Sequence, residues 1–188
     1  VYKLMTDITA LSAGDKVIFS TKKVASSTAK LLSTVEDGSA LKFTSSATIT
    51  DALEIEANTL PENTAVFTVE AGVTADTFAF KAAEGYLFGT YDAENWASDL
   101  SFKAAKDEEA TWVVSMSSAN YYVTVYNTLH SRYLNNYYGS KFNFAGSHGT
   151  YYYYIYYIDG AATEEPETPV VPEQPVVTPL EAPVVTAT

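Results

Sequence analysis

The feature that most constrains this chain is a repeat of short strand-forming runs. Phe67-Thr68-Val69 is answered 45 residues later by Trp112-Val113-Val114, and Phe78-Ala79-Phe80-Lys81 by Val123-Thr124-Val125-Tyr126 at the same offset. Gly85-Tyr86-Leu87-Phe88 corresponds to Arg132-Tyr133-Leu134-Asn135 at 47 residues, and Leu100-Ser101-Phe102 to Phe142-Asn143-Phe144 at 42. Order and spacing hold through four successive runs, the signature of a repeated supersecondary unit. The first third follows the plan more loosely: Lys3-Leu4-Met5, Val17-Ile18-Phe19, Lys30-Leu31-Leu32 and Leu41-Lys42-Phe43. Its longer offset to the second unit predicts an insertion within Ser45–Asn63.

Most runs are four or five residues of β-branched and aromatic side chains between Gly, Asn, Asp and Ser, which read as strands. No segment sustains a 3.6-residue apolar stripe over three turns. The best helical candidates, Ala10–Ala13 and Ala52–Ala57, are short. Many short strands at regular spacing indicate a barrel or sandwich. Three units of four strands narrow this to a β-trefoil, an all-β fold in which a closed barrel and a hairpin cap share one core. The last strand, Tyr152–Ile158, is expected to close the barrel beside the first.

Six of the seven prolines follow residue 160, together with five glutamates and no Lys or Arg. This divides the chain into a domain over 1–160 and a tail over 161–188. Repeated proline denies the tail both a helix and a central strand. An extended, polyproline-like tail of this length reaches roughly 80 Å. It reads either as a linker or stalk, or as a docking strand through Val176, Val177, Val184 and Val185. The start at Val1 is expected to be a processed or truncated terminus.

Composition removes whole classes of function. Zero cysteine excludes a disulfide scaffold and a thiol nucleophile. A net charge of −12, of which the tail contributes −5, argues against nucleic acid as a partner. No apolar run approaches the ~20 residues that cross a bilayer. His130 and His148 adjoin Ser131 and Ser147 in sequence, which is not how a catalytic triad assembles. They are expected to be solvated turn histidines. A glycosidase needs two opposed carboxylates in a cleft, which spacing alone does not identify here. No phosphate loop, nucleophile elbow or zinc motif is present, so no enzyme and no cofactor is implied. Asp92, Glu94, Asn95 and Asp99 share a loop with oxygen ligands of the kind Ca²⁺ takes. The loop lacks the EF-hand pattern and reads as a charged turn.

Several phrases in order carry a resemblance: Tyr2-Lys3-Leu4, Leu11-Ser12-Ala13-Gly14-Asp15-Lys16-Val17, Ala65-Val66-Phe67-Thr68-Val69, Gly85-Tyr86-Leu87-Phe88, Ala110-Thr111-Trp112 and Ser131-Arg132-Tyr133-Leu134-Asn135-Asn136. Together they resemble a trefoil-like accessory module of multidomain secreted and surface proteins of gut and rumen bacteria. The resemblance covers residues 1–159 and implies a non-catalytic, extracellular module whose partner is a glycan or a surface protein. Trefoil lectins set an aromatic ring beneath a sugar with Asp or Asn beside it. Two loops at equivalent places have that make-up: Tyr91, Asp92, Asn95 and Trp96 in the second unit, and Asn135, Asn136, Tyr137 and Tyr138 in the third. The Gln-x-Trp of ricin-type lectins is absent. Ala110-Thr111-Trp112 stands there, which marks Trp112 as core.

Twelve of the 15 tyrosines lie between Tyr121 and Tyr157. Along Tyr151–Tyr157 alternate side chains point to opposite faces. One face fills the core. The other is either cross-strand packing or a contact surface. The second option makes the chain a subunit of an extracellular filament or layer, self-assembling through Tyr151, Tyr153 and the tail valines.

Overall fold

The computed structural model describes residues 1–160. Tail residues Val176, Val177, Val184 and Val185 lie outside the described residues. The strands are β1 (Tyr2–Leu4), β2 (Lys16–Ser20), β3 (Ser27–Asp37), β4 (Ala40–Ile49), β5 (Glu54–Ile55), β6 (Phe67–Ala71), β7 (Phe78–Ala82), β8 (Gly85–Asp92), β9 (Ala97–Lys103), β10 (Val113–Met116), β11 (Val123–Asn127), β12 (Arg132–Tyr137), β13 (Lys141–Ala145) and β14 (Tyr154–Ile158).

Six strands close a barrel. β14 pairs with β2, β2 with β6, and β6 with β7. β7 reaches the start of β10 through reciprocal Phe78–Trp112 backbone bonds of 2.8 Å. β10 pairs with β11, and Val123 N–H on β11 donates to the Tyr153 carbonyl at 3.0 Å. Closure leaves no free barrel edge. Phe67, Trp112 and Tyr153 occupy the same place in three successive units, and all three are wholly buried. The rings of Phe19, Phe67 and Phe80 meet edge to face at 5.3–5.9 Å at the barrel centre.

Three hairpins form the cap: β3–β4, β8–β9 and β12–β13. Their registers match, with Leu32 opposite Phe43, Leu87 opposite Phe102, and Leu134 opposite Phe144. Leu41, Leu100 and Phe142 meet at the cap centre with no exposed surface. The chain folds as a β-trefoil.

Two expectations are corrected. Lys3-Leu4-Met5 is not the first barrel strand. β14 takes that place, and β1 lies beside β14 on the side away from β2. Tyr153 fits the barrel interior as Phe67 and Trp112 do, whereas β1 is short and carries Lys3 at its middle. Second, neither helical candidate is a helix: Ala10–Ala13 only meets the end of a 3₁₀ turn, Ile8–Ala10, and Ala52–Ala57 is a turn and β5 leading into a second 3₁₀ turn, Ala57–Thr59. The insertion within Ser45–Asn63 supplies the end of β4, all of β5 and the second of these turns. With β1 and β3 it builds a satellite core around Ile18, Leu31, Ile49, Ile55 and Tyr156 on the outside of the barrel. β14 is therefore buried on both faces, and Tyr156 is not part of an exposed ladder. No helix among the described residues is long and apolar enough to cross a membrane.

Candidate functional site

The third hairpin ends in a tight turn that fixes the geometry of the site. Ser140 N–H donates to the Tyr137 carbonyl at 3.0 Å, and both central residues have positive φ (Tyr138 +49°, Gly139 +68°). That is the backbone a type I′ hairpin turn requires. Glycine adopts it freely; tyrosine does so against steric resistance. The Tyr138 ring stands outward at 69% exposure. Tyr137, at 42%, meets Tyr138 edge to face at 4.6 Å. Tyr138 meets Tyr151, at 44%, the same way at 5.8 Å.

Beneath these rings is a cavity of ≈ 280 Å³, lined by Asn135, Asn136, Tyr137, Tyr138, Asn143 and Tyr151 among others. Its far wall is the segment that leads into β14. Asn136 staples the two walls together. Its amide donates to the Tyr152 carbonyl at 3.0 Å, and its oxygen accepts from Gly139 N–H at 3.1 Å. Asn135 donates to the Asn143 side-chain oxygen at 2.9 Å. The Asn135 Oδ1 atom is buried and has no hydrogen-bond partner. Gly149 (φ +66°) lies against it: a Cβ there would stand 2.6 Å from that oxygen. Only glycine lets the wall approach so closely.

The pseudo-threefold shows why this cavity belongs to the third unit. Following Leu32, Leu87 and Leu134, the equivalent residues are Ser33, Phe88 and Asn135. Two residues before Phe67, Trp112 and Tyr153 stand Ala65, Ala110 and Tyr151. In the second unit Phe88 packs on Ala79, Tyr86 and Ala110, so an aromatic ring occupies the place Asn135 takes in the third. The Lys103 ammonium covers it, 4.9 Å from the ring centre. In the first unit a hollow of ≈ 250 Å³ forms around Ser33, Val35 and Phe43, without a tyrosine rim. In the third unit a polar amide replaces the plug, and Tyr151 swings outward where the other units bury alanine.

The structure thus brings Asn135, Asn136, Tyr137 and Tyr138 together and adds Tyr151. It does not bring the second-unit loop to this cavity. The Arg132 guanidinium lies 3.4 Å from the Tyr91 ring centre, a stack between β8 and β12. Asp92 organises its own turn. The Asn95 side-chain amide donates to it at 2.6 Å, and the N–H groups of Glu94 and Asn95 donate at 2.9 and 3.3 Å. The Asn95 amide, then the two backbone donors, hold that carboxyl below the usual range. Trp96 stands at the hairpin tip with φ +55° and 82% exposure. Among the described residues no three acidic or histidine side chains converge to hold a metal ion.

Tyr151 and Tyr153, both expected at an assembly contact, separate. Tyr151 lines the cavity, whereas Tyr153 is wholly buried. Its hydroxyl donates to the Leu134 carbonyl at 2.9 Å and accepts from Val125 N–H at 3.1 Å, so it is unavailable to a neighbouring subunit. The histidines are not solvated as expected: His130 does lie in a turn, but both side chains are partly buried. His148 is part of a ring cluster with Tyr122, Tyr133, Tyr152 and Tyr153, and its Nε2 is 3.1 Å from the Val123 carbonyl. His130 is half-buried with Nε2 3.8 Å from Glu109. Trp112 is core, with its indole N–H donating to the Leu87 carbonyl at 3.0 Å. Asn143 and Gly149 were not anticipated. The break in the repeat, Ala-x-Phe and Ala-x-Trp against Tyr-x-Tyr, was the sequence signal for Tyr151.

No family model and no curated protein matches this chain. Solved structures do. The Polyporus squamosus lectin bound to the human-type influenza-binding epitope Neu5Aca2-6Galb1-4GlcNAc aligns at TM-score 0.50 and 11% identity, over 78% of this chain and 49% of that one. This chain therefore spans about half the length of that lectin. SeviL bound to asialo-GM1 saccharide aligns at 0.49 and 12% identity, over 77% of this chain and 97% of that one. The BEL β-trefoil aligns at 0.49 and 9%, over 79% and 96%. At such identities the likeness is one of fold. The alignment with the Polyporus squamosus lectin agrees with the barrel and cap described above.

Proposed function

We propose that this chain is a non-catalytic carbohydrate-binding module and that the tyrosine-rimmed cavity of the third unit is its site. One observation carries the reading: three partly exposed tyrosine rings stand over a cavity whose floor holds a buried Asn oxygen without a partner. The apolar face of a pyranose packs on a ring, and its hydroxyls seek fixed polar partners. Asn135 and Asn143 supply such groups, Tyr138 and Tyr151 the rings, and Asn136 holds the two walls in place. The Polyporus squamosus lectin, of like fold, is bound to Neu5Aca2-6Galb1-4GlcNAc, which supports the same class here. The module then works outside the cell, where glycans are displayed.

A glycan array followed by calorimetry on the hits tests this. Tyr138→Ala and Tyr151→Ala are each expected to weaken binding about tenfold, the scale of one lost ring contact of 1–1.5 kcal/mol. Unchanged affinity in both variants would overturn the site. Trp96→Ala reports on the second-unit loop: a loss equal to that of Tyr138→Ala would assign the contact to both hairpin tips.

A further inference from the structure

A second hollow of ≈ 450 Å³ adjoins the tyrosine-rimmed cavity, and the two share Asn136, Thr150 and Tyr151 as their common wall. Its character differs. Lys22 and Lys30 line it, with the hydroxyl-bearing Thr28 and Ser46 and the Tyr152 side chain. No Asp or Glu is among its lining residues. Lys81, Lys103, Lys106 and Lys141 pair with carboxylates elsewhere, whereas Lys22 and Lys30, like Lys3, Lys16, Lys23 and Lys42, form no ion pair among the described residues; the Lys30 ammonium lies 5.9 Å from the Phe43 ring centre. Residues 1–160 carry 18 acids against 11 bases, so a concave surface with two lysines outside any ion pair and no acid runs against the balance of the molecule. Two such lysines lining one hollow raise the local concentration of anions.

We propose that this second hollow is an anion subsite, which takes the carboxylate or sulfate of an acidic oligosaccharide whose neighbouring sugar lies on the tyrosines of the first cavity. The proposal rests on the carbohydrate reading above and names the ligand class within it. Tyr151 is the hinge of the arrangement: one ring borders both hollows, so a chain of two or more sugars crosses it. The lysines supply attraction and on-rate, and the rings supply the apolar contact.

The test is calorimetry on the full chain with three probes: a uronate-containing tetrasaccharide, an O-sulfated tetrasaccharide and their neutral parent. At least one acidic probe is expected to bind more tightly than the neutral parent, with a preference that shrinks as salt is raised. The double variant Lys22→Ala/Lys30→Ala is expected to reduce that preference about three- to tenfold, the scale of two partly exposed ion pairs. Lys22→Glu/Lys30→Glu is expected to abolish it. Both lysines are exposed, so these variants fold. Which acidic probe binds more tightly names the anion. A preference unmoved by either double variant overturns the subsite, as does equal affinity for acidic and neutral probes. If the neutral parent binds and Tyr138→Ala weakens it while the lysine variants change nothing, the anion subsite alone is rejected. If no probe binds, or Tyr138→Ala and Tyr151→Ala have no effect, the carbohydrate reading fails and takes the subsite with it.

Discussion

At the scale of single residues, Tyr138 shows how site and stability pull apart. Its φ of +49° suits glycine or asparagine, and a tyrosine there presents a ring that neither could provide. Tyr138→Asn is expected to stabilise the protein by about 1 kcal/mol, because Asn-Gly is a favoured type I′ pair, while glycan affinity falls. Thermal melts and calorimetry on the same variant check both halves. Gly149→Ala should act in the opposite sense on stability, costing more than about 1 kcal/mol, because the left-handed backbone and the 2.6 Å approach to Asn135 both resist a methyl group. Asn135 itself was legible as a site candidate from its neighbours in sequence. Its orphaned oxygen was not, because that depends on a wall segment more than ten residues away. Tyr91 illustrates the reverse: it has the composition of a binding loop, yet the Arg132 guanidinium already occupies its ring.

At the scale of elements, β14 closes the barrel. Tyr153, just before it, is held by its hydroxyl between the Leu134 carbonyl and Val125 N–H, tying β14 to the third cap hairpin and to β11. Tyr153→Phe keeps the ring and strands both partners, so it is expected to cost about 1–3 kcal/mol. Chemical denaturation with an unchanged slope on denaturant would register this. The alternating pattern of Tyr151–Tyr157 announced a strand correctly. It left open what covers the outward face, because alternation fixes which side chains share a face and not what lies opposite. The insertion answered that: β1, β5 and the ends of β3 and β4 seal Ile18 and Tyr156 into a satellite core. Likewise, the repeat located four runs per unit, but only strand pairing revealed that β14, at the far end of the domain, supplies the first strand of the first unit.

At the scale of the whole molecule, the burial of tyrosines predicts how the fold fails with pH. Burial raises Tyr2, Tyr153, Tyr154 and Tyr156 above the usual phenol value near 10; the neighbouring Tyr152 adds to the shift at Tyr154, and Tyr154 to that at Tyr156. A phenol whose folded pKa is raised contributes stability that is complete below its unfolded pKa and is lost as pH climbs past it. Stability is therefore expected to hold to about pH 10 and then fall, by up to about 1.4 kcal/mol per pH unit for each such tyrosine. Denaturant unfolding at pH 8 and pH 11, with phenolate absorbance followed in parallel, checks both onset and direction. By itself, the sequence determined the fold class, the three-unit plan and the place of the insertion, because strand periodicity and repeat spacing are local properties written along the chain. The tertiary structure decided which of three equivalent places becomes a tyrosine-rimmed cavity. That choice turns on Phe88 against Asn135 and on Ala110 against Tyr151, pairs far apart in sequence. Whether a ring fills a hollow or rims it depends on what the barrel and cap place opposite.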